Sequence, residues 1–308
     1  MAISRRTLIG ITAAAVAVVI VLLVWRPTVL IYGIQRAGLY ASIALPMALI
    51  LGIVGIVNLA HGEFLMLGAY FVYLFSTNLG ADPLMAMIPA MVLLFVLGIL
   101  AYKATIQHVL SAPELNQVIL TFGLAIIASE TVNLIATTQP RKVSVGYSSA
   151  SASIGELTFG IFDFTYVLAA IVIVVGLMLF LRRTRLGKAA LAVGQNPKGA
   201  AIVGINVGRT YLLVFSLAVG ILGIIATLFA VRYSLFPAVG APFTMKSLAI
   251  IAMAGLGNLT AVVYCAAGLG LAEAFITSFR GYGGWAEIVF FALIVIVIMV
   301  RSFRGAKR

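Results

Sequence analysis

The chain has 308 residues, of which 63% are apolar and only 9% charged, where a soluble domain carries about 25% charged residues. So few polar side chains cannot clothe a core of this size in a hydrated shell, and the solvent for most of the surface is lipid. The formal charge of +12 does not call for nucleic acid, because the basic residues flank apolar runs as the positive-inside rule places them.

At the amino terminus Ser4-Arg5-Arg6-Thr7 precedes an apolar run over 8–24 that resembles a signal sequence. Trp25-Arg26-Pro27 stands where a small-residue cleavage site would lie, so the run reads as a retained first membrane helix. Helices need about 20 residues to cross the hydrocarbon. The apolar runs predict spans at 7–25, 35–56, 63–80, 83–102, 114–137, 164–181, 211–231, 259–278 and 285–300, with a short apolar segment at 246–257. Asp82-Pro83 supplies a cap and a first-turn proline for the fourth span. Ser111 and Glu114 have the spacing of a capping box before the fifth, which gives Glu114 a structural reading. The single cysteine, Cys265, leaves no disulfide within the chain.

Two long polar stretches set the sidedness. The 138–163 stretch is rich in Ser and Gly and holds Gln139, Pro140, Arg141 and Lys142. The 182–210 stretch carries Arg182, Arg183, Arg185, Lys188, Lys198 and Arg209 and no acid, which places it in the cytoplasm. Six spans precede it, so the amino terminus is cytoplasmic and 138–163 is external. A cytoplasmic carboxyl tail, basic through Arg301, Arg304, Lys307 and Arg308, then requires an even number of later crossings. The expectation is an all-α polytopic membrane protein, one transmembrane domain over 1–308, with about ten membrane helices. One of them, 246–257, is short, and is either a tilted or broken crossing ending at Gly255-Leu256-Gly257-Asn258 or re-entrant. Gly52-Ile53-Val54-Gly55-Ile56-Val57-Asn58 hints at an internal repeat of that break.

Polar groups at membrane depth are costly and mark sites worth testing. Asn58, His61 and Glu63 form the densest group, expected at a tight turn on the cytoplasmic side, where they either fix helix ends or line a path. Glu130 and Asn133 share one face of the fifth span with Ser129 nearby. These two, Glu273 in the ninth element and Asn258 at the second Gly-rich break are path or helix-locking candidates. No residue set points to a metal, and no nucleotide-binding or catalytic motif is present; Gly187-Lys188-Ala189 lacks the leading glycine and the Ser/Thr of a phosphate loop. No cofactor is expected on this chain.

Asn58-Leu59-Ala60-His61-Gly62-Glu63-Phe64-Leu65-Met66-Leu67-Gly68-Ala69-Tyr70 closely resembles the N-x-A-H-G-E-x-x-M-x-G-[AS]-Y stretch of permease subunits of high-affinity branched-chain amino acid ABC importers. Arg182-Arg183-Thr184-Arg185-Leu186-Gly187-Lys188-Ala189, followed by Asn196-Pro197-Lys198-Gly199-Ala200-Ala201-Ile202-Val203-Gly204-Ile205-Asn206, is similar to that family's coupling region. Ala254-Gly255-Leu256-Gly257-Asn258 through Gly268, Gly270 and Glu273 is a weaker third match, in which Ala254 replaces the family's first glycine. The resemblance spans about 30–300. It implies an inner-membrane transport subunit, not an enzyme, that works with two ATPase subunits carrying ATP and Mg, a second related permease and an external solute-binding protein. Asn196, Pro197, Ala200, Val203, Gly204 and Ile205 are the implied ATPase-coupling residues; Ala200, Val203, Gly204 and Val207 lie at the spacing of one helix face. Urea and short-amide importers share the pattern. Ion-coupled secondary transport, with Glu130 and Glu273 as coupling carboxylates, and a membrane assembly scaffold are the other readings.

Overall fold

A computed structural model describes residues 26–299 apart from 156, 256, 280–283, 289, 293 and 296–298. The expected span at 7–25 and the basic tail lie outside the described residues, and the span at 285–300 is described only in part. The fold is an all-α bundle. Six described helices are long and apolar enough to cross a membrane, in place of the ten expected.

The first, α1 (Pro27–Ile53), opens on a proline at its first position and ends where Gly55 takes φ +78°. It is followed by α2 (His61–Leu79), closed by the left-handed Gly80. Asp82 then accepts from Leu84 N at 2.8 Å and starts a 3₁₀ turn over Pro83–Ala86. That turn leads into α3 (Met87–Ala101), which continues through a π turn, Tyr102–Ile106, to Val109. The expected cap opens this span, as the sequence required. By contrast, α4 (Glu114–Ala136) has Pro113 at its N-cap and no side-chain cap, so the Ser111–Glu114 box is not formed. Pro113 takes an extended conformation and starts the helix by itself.

After α4 the chain makes a two-stranded antiparallel hairpin, β1 (Ser151–Ile154) with β2 (Leu157–Gly160), around a left-handed Gly155. It returns as α5 (Phe164–Arg183). Three helices follow in close succession: α6 (Arg185–Gln195), α7 (Pro197–Ile202) and α8 (Val207–Arg232). The short α9 (Ala241–Ala254) and then α10 (Leu259–Thr277) follow.

Burial sorts the helices. In the most apolar stretch of α1 83% of residues are buried, and in that of α4 only 11%. The core therefore lies along α1 and α8, and α4 is peripheral. Two ends of the bundle can be told apart along α1, which rises about 40 Å. Near its start, Tyr32 and Gln35 bond to the carbonyls of Thr158 and Gly160 in the hairpin. Near its finish, Gly52 and Ile53 pack against Gly194 of α6. The 138–163 and 182–210 stretches thus occupy opposite ends, here termed the hairpin end and the basic end.

The hairpin end is well tied. Arg141 pairs with Leu235 through two backbone hydrogen bonds, and Arg232 grips Asp163 at 2.6 and 3.1 Å. Tyr147 donates to Asp82 at 2.8 Å; burial, then this bond, holds its phenol well above the usual range.

Candidate functional site

Two of the crossings are broken, and the site grows from the breaks. After α1 ends at the basic end, residues 54–60 turn back into the bundle, and α2 starts at the level of Ile43. That level is fixed by His61, fully buried, whose Nε2 lies 2.9 Å from the Ile43 carbonyl. A carbonyl only accepts, so Nε2 carries the proton. Ile43 stands ten residues before the end of α1, about 15 Å inside the bundle. Pro46 lies within this stretch of α1. It has no N–H to offer the carbonyl of Ser42, so the helix ladder is already interrupted beside Ile43.

The second break mirrors the first. From Arg232 at the hairpin end the chain descends through 233–240 and starts α9 beside α2. Gly62 and Gly240 are in backbone contact, with no room for a Cβ on either. Gly62 N donates to Thr244 Oγ1 at 2.7 Å, which joins the first turn of α9 to the first turn of α2. The amino-terminal ends of two partial helices therefore meet inside the bundle. From there α2 leads to the hairpin end and α9 to the basic end, where Gly52 faces Gly257.

α4 splints both breaks from one side. Thr121 Oγ1 bonds to the Val57 carbonyl at 3.0 Å, and Ser129 Oγ bonds to the Pro237 carbonyl at 2.9 Å. These two residues are eight apart and so share a helix face. Sequence reasoning missed Thr121 and Thr244, because a hydroxyl in a membrane helix ordinarily bonds to its own preceding turn.

Within the first break, Asn58 Oδ1 accepts from Ala60 N at 3.1 Å. Beyond α9, Asn258 caps α10 by accepting from Ala261 N at 3.1 Å. Asn58 stands three residues after the left-handed Gly55, and Asn258 directly after the left-handed Gly257. The polar groups of the first break are otherwise under-used. Asn58 Nδ2, His61 Nδ1 and Glu63 Oε2 are buried with no partner among the described residues. The expected turn at the membrane surface is thus an interior segment, because the chain re-enters the bundle after Gly55 instead of turning at its edge.

Glu273 belongs to a separate cluster. Its Oε2 accepts from the Tyr40 hydroxyl and lies 3.3 Å from Lys246 Nζ, while Oε1 lies 3.5 Å from Arg36. Lys246 also donates to Tyr40 at 2.8 Å and stands over the rings of Tyr40 and Phe290. The cluster joins α1, α9 and α10. A lone lysine within the short segment expected at 246–257 was the available signal, since a cation there needs an anion. Glu130 is outside all this. It lies on the exposed face of α4, 3.2 Å from Asn133 Nδ2 and beside the exposed Leu134.

In the basic loop each helix opens on a side-chain cap. Thr184, Asn196 and Asn206 accept from the amides of Gly187, Gly199 and Arg209, each at 2.9 Å. Pro197 holds the first position of α7, and Gly204, φ +86°, ends it before the half-buried Ile205. Ala200 is buried, whereas Ile202 and Val203 are 85% and 74% exposed. The expected face of Ala200, Val203, Gly204 and Val207 is divided in this way, because the helix is too short to present one continuous stripe.

Residues 29–298 match the family model described as the permease component of branched-chain amino acid transport systems. The chain is 25% identical to the high-affinity branched-chain amino acid transport system permease protein BraD of Pseudomonas aeruginosa, over 88% of this chain and 92% of that one. It is 27% identical to the corresponding permease protein LivH of Escherichia coli K12, over 87% and 91%. A probable branched-chain amino acid transport permease protein LivH of Methanocaldococcus jannaschii is 23% identical, over 86% of each chain. No solved structure matches.

Proposed function

The chain belongs to the permease-component family of branched-chain amino acid transport systems, and from that premise we propose how its architecture serves import. It is a multi-pass inner-membrane permease subunit of an ATP-driven importer, a transport subunit and not an enzyme. The cargo in this reading is a branched-chain or other small amino acid, the class named for the relatives. An external solute-binding protein delivers it, a second related permease completes the membrane part, and two ATPase subunits carry ATP and Mg.

The lack of acids in the 182–210 loop supports a cytoplasmic basic end and an external hairpin end. Each broken segment then completes a crossing with its partial helix, 54–60 with α2 and 233–240 with α9. Irregular backbone at membrane depth is tolerated where protein surrounds it and is a recurrent place for transport paths. The joint of Gly62 with Gly240 is the closed state of the path in this reading, and Asn58, His61 and Glu63 offer their unpartnered groups when it opens. The coupling segment is Asn196, Pro197, Ala200, Val203, Gly204 and Ile205. Ala200 anchors it inward, and Ile202 with Val203 forms the contact that the ATPase engages. ATP-driven closure of the ATPases then pulls on α8 and biases the two states. Glu273 locks helices, as its two cationic partners favour.

The observation that carries the reading is the match over residues 29–298. Its test is uptake of labelled leucine into proteoliposomes holding the assembled subunits. Uptake should need ATP and the binding protein and should persist when ion and proton gradients are collapsed. Uptake without the ATPases that vanishes with those gradients would replace this reading by ion-coupled transport.

A further inference from the structure

At the hairpin end, α1 places Tyr32, Gln35, Arg36 and Leu39 along one face, at the i, i+3, i+4 and i+7 spacing of a helix. This face forms one wall of a cavity of about 460 Å³, closed on the other side by Asp163, Tyr166, Arg232, Tyr233 and Ser234. The size is that of a small-molecule pocket, typically about 300–1,000 Å³.

The charges of the wall do not cancel. Arg232 is held by both oxygens of Asp163. Arg36 shares the Glu273 carboxylate with Lys246. Of the charged residues that line the cavity, Arg36 and Arg232 stand against Asp163 alone; Arg36, which also donates to Thr277 Oγ1 at 3.1 Å, shares Glu273 with a second cation and so brings positive charge to spare. Gln35 supplies the opposite polarity. It is 4% exposed, and its Nε2 donates to the Gly160 carbonyl at 2.8 Å. That bond fixes the amide orientation and leaves Oε1 buried without a partner among the described residues. An acceptor so placed carries a desolvation cost until a donor reaches it. Leu39 and the rings of Tyr166 and Tyr233 supply the apolar wall.

We propose that this cavity is a subsite for a zwitterionic α-amino acid on the permease itself, its carboxylate on Arg36, its ammonium on Gln35 Oε1 and its side chain against Leu39 and the tyrosine rings. The assignment rests on the importer reading above and adds a place where the cargo pauses after release from the binding protein. Two consequences follow from position. The cargo carboxylate competes with Glu273 for Arg36, so occupancy loosens the tie between α1 and α10. Tyr233, in the floor, begins the segment that ends at Gly240, and its ring stacks on Phe229 with centroids 4.6 Å apart. The floor of the subsite and the closed joint are therefore two ends of one eight-residue segment.

The test is equilibrium binding of tritiated leucine to the assembled importer without binding protein, in maltoside micelles and in nanodiscs of phosphatidylcholine or phosphatidylethanolamine. Leucinamide lacks the carboxylate and 4-methylpentanoate lacks the ammonium, and each should compete about tenfold or more less well than leucine. Gln35→Leu and Arg36→Gln should each weaken leucine binding about tenfold or more, with Arg36→Lys restoring part of the loss and ATPase copurification unchanged. If one variant fails to assemble, the other decides. Leucine affinity unchanged in the variant that assembles overturns the subsite, as does absent binding beside intact ATP-driven uptake. Binding lost in phosphatidylethanolamine but kept in phosphatidylcholine assigns the cavity to the lipid's ethanolamine headgroup and also overturns it. Wild-type subunits that show no ATP-driven uptake at all overturn the importer reading and the subsite with it.

Discussion

Gly62 and Gly240 meet main chain to main chain, and each occupies the volume that the other's Cβ would need. The contact joins the first turns of two partial helices that run to opposite ends of the bundle. Substitution by even one methyl group must separate them. Gly62→Ala or Gly240→Ala should cost about 1–3 kcal/mol or more through overpacking and should abolish uptake. Gly123→Ala, at a glycine with open space around it, is the matched control. Thermal unfolding of the purified chain and leucine uptake by the assembled importer read the two effects separately.

His61 holds the start of α2 to α1 through one hydrogen bond to the Ile43 carbonyl. His61→Ala removes that bond and vacates a fully buried site, so a loss of about 1–3 kcal/mol is expected. His61→Gln retains a donor and should recover part of it. Recovery absent in a denaturation series would show that the ring's packing, and not its N–H, secures the helix.

The Glu273 cluster should behave as a unit. Removing one member, by Lys246→Met or Glu273→Gln, leaves charge in a largely buried place and should cost about 3 kcal/mol. The double variant should cost less than the two single losses added together, since each partner's penalty arises from the other's presence. Additive losses in a double-mutant cycle would mean that the two groups do not interact.

Ile202 and Val203 are exposed, while Ala200 two residues earlier is buried. Ile202→Asp with Val203→Asp should leave the melting temperature within about 2 °C and abolish copurification of the ATPase. Ala200→Leu should instead lower stability, by about 1–3 kcal/mol. The opposite pattern would place the ATPase contact elsewhere on the loop.

Glu130 is exposed and, among the described residues, accepts from Asn133 one turn away. Glu130→Gln should leave the fold of the isolated chain unchanged, to within about 0.5 kcal/mol. A fall in uptake at unchanged subunit assembly would restore it to the transport path.

Much of the fold was legible because its causes are local. Apolar runs ending at Gly80 and opening at Asp82-Pro83 located their helices, whereas the span expected at 35–56 starts eight residues earlier, at Pro27; the acid-free 182–210 stretch set one end apart from the other. The depth of Asn58-Leu59-Ala60-His61 was not legible. Hydropathy reports where a helix stops, not whether the following chain turns outward or inward, and here Val57 and Ile43 supply partners that no local pattern reveals. The same limit hid the set of Arg36, Tyr40, Lys246 and Glu273, four residues on three helices with no fixed spacing. It also made Glu130 look internal, since an apolar helix reads alike whether its neighbour is protein or lipid.

The basic loop has a mechanical consequence. Thr184 alone separates α5 from α6 and Asn196 alone separates α6 from α7, and each of these single residues is also a helix cap. Only four residues, 203–206, lie between α7 and α8. Such a linkage has little slack to take up, so a push on its exposed tip arrives at the feet of α5 and α8 with small backlash. Inserting flexible glycines there would leave every contact chemically intact and still uncouple the stroke.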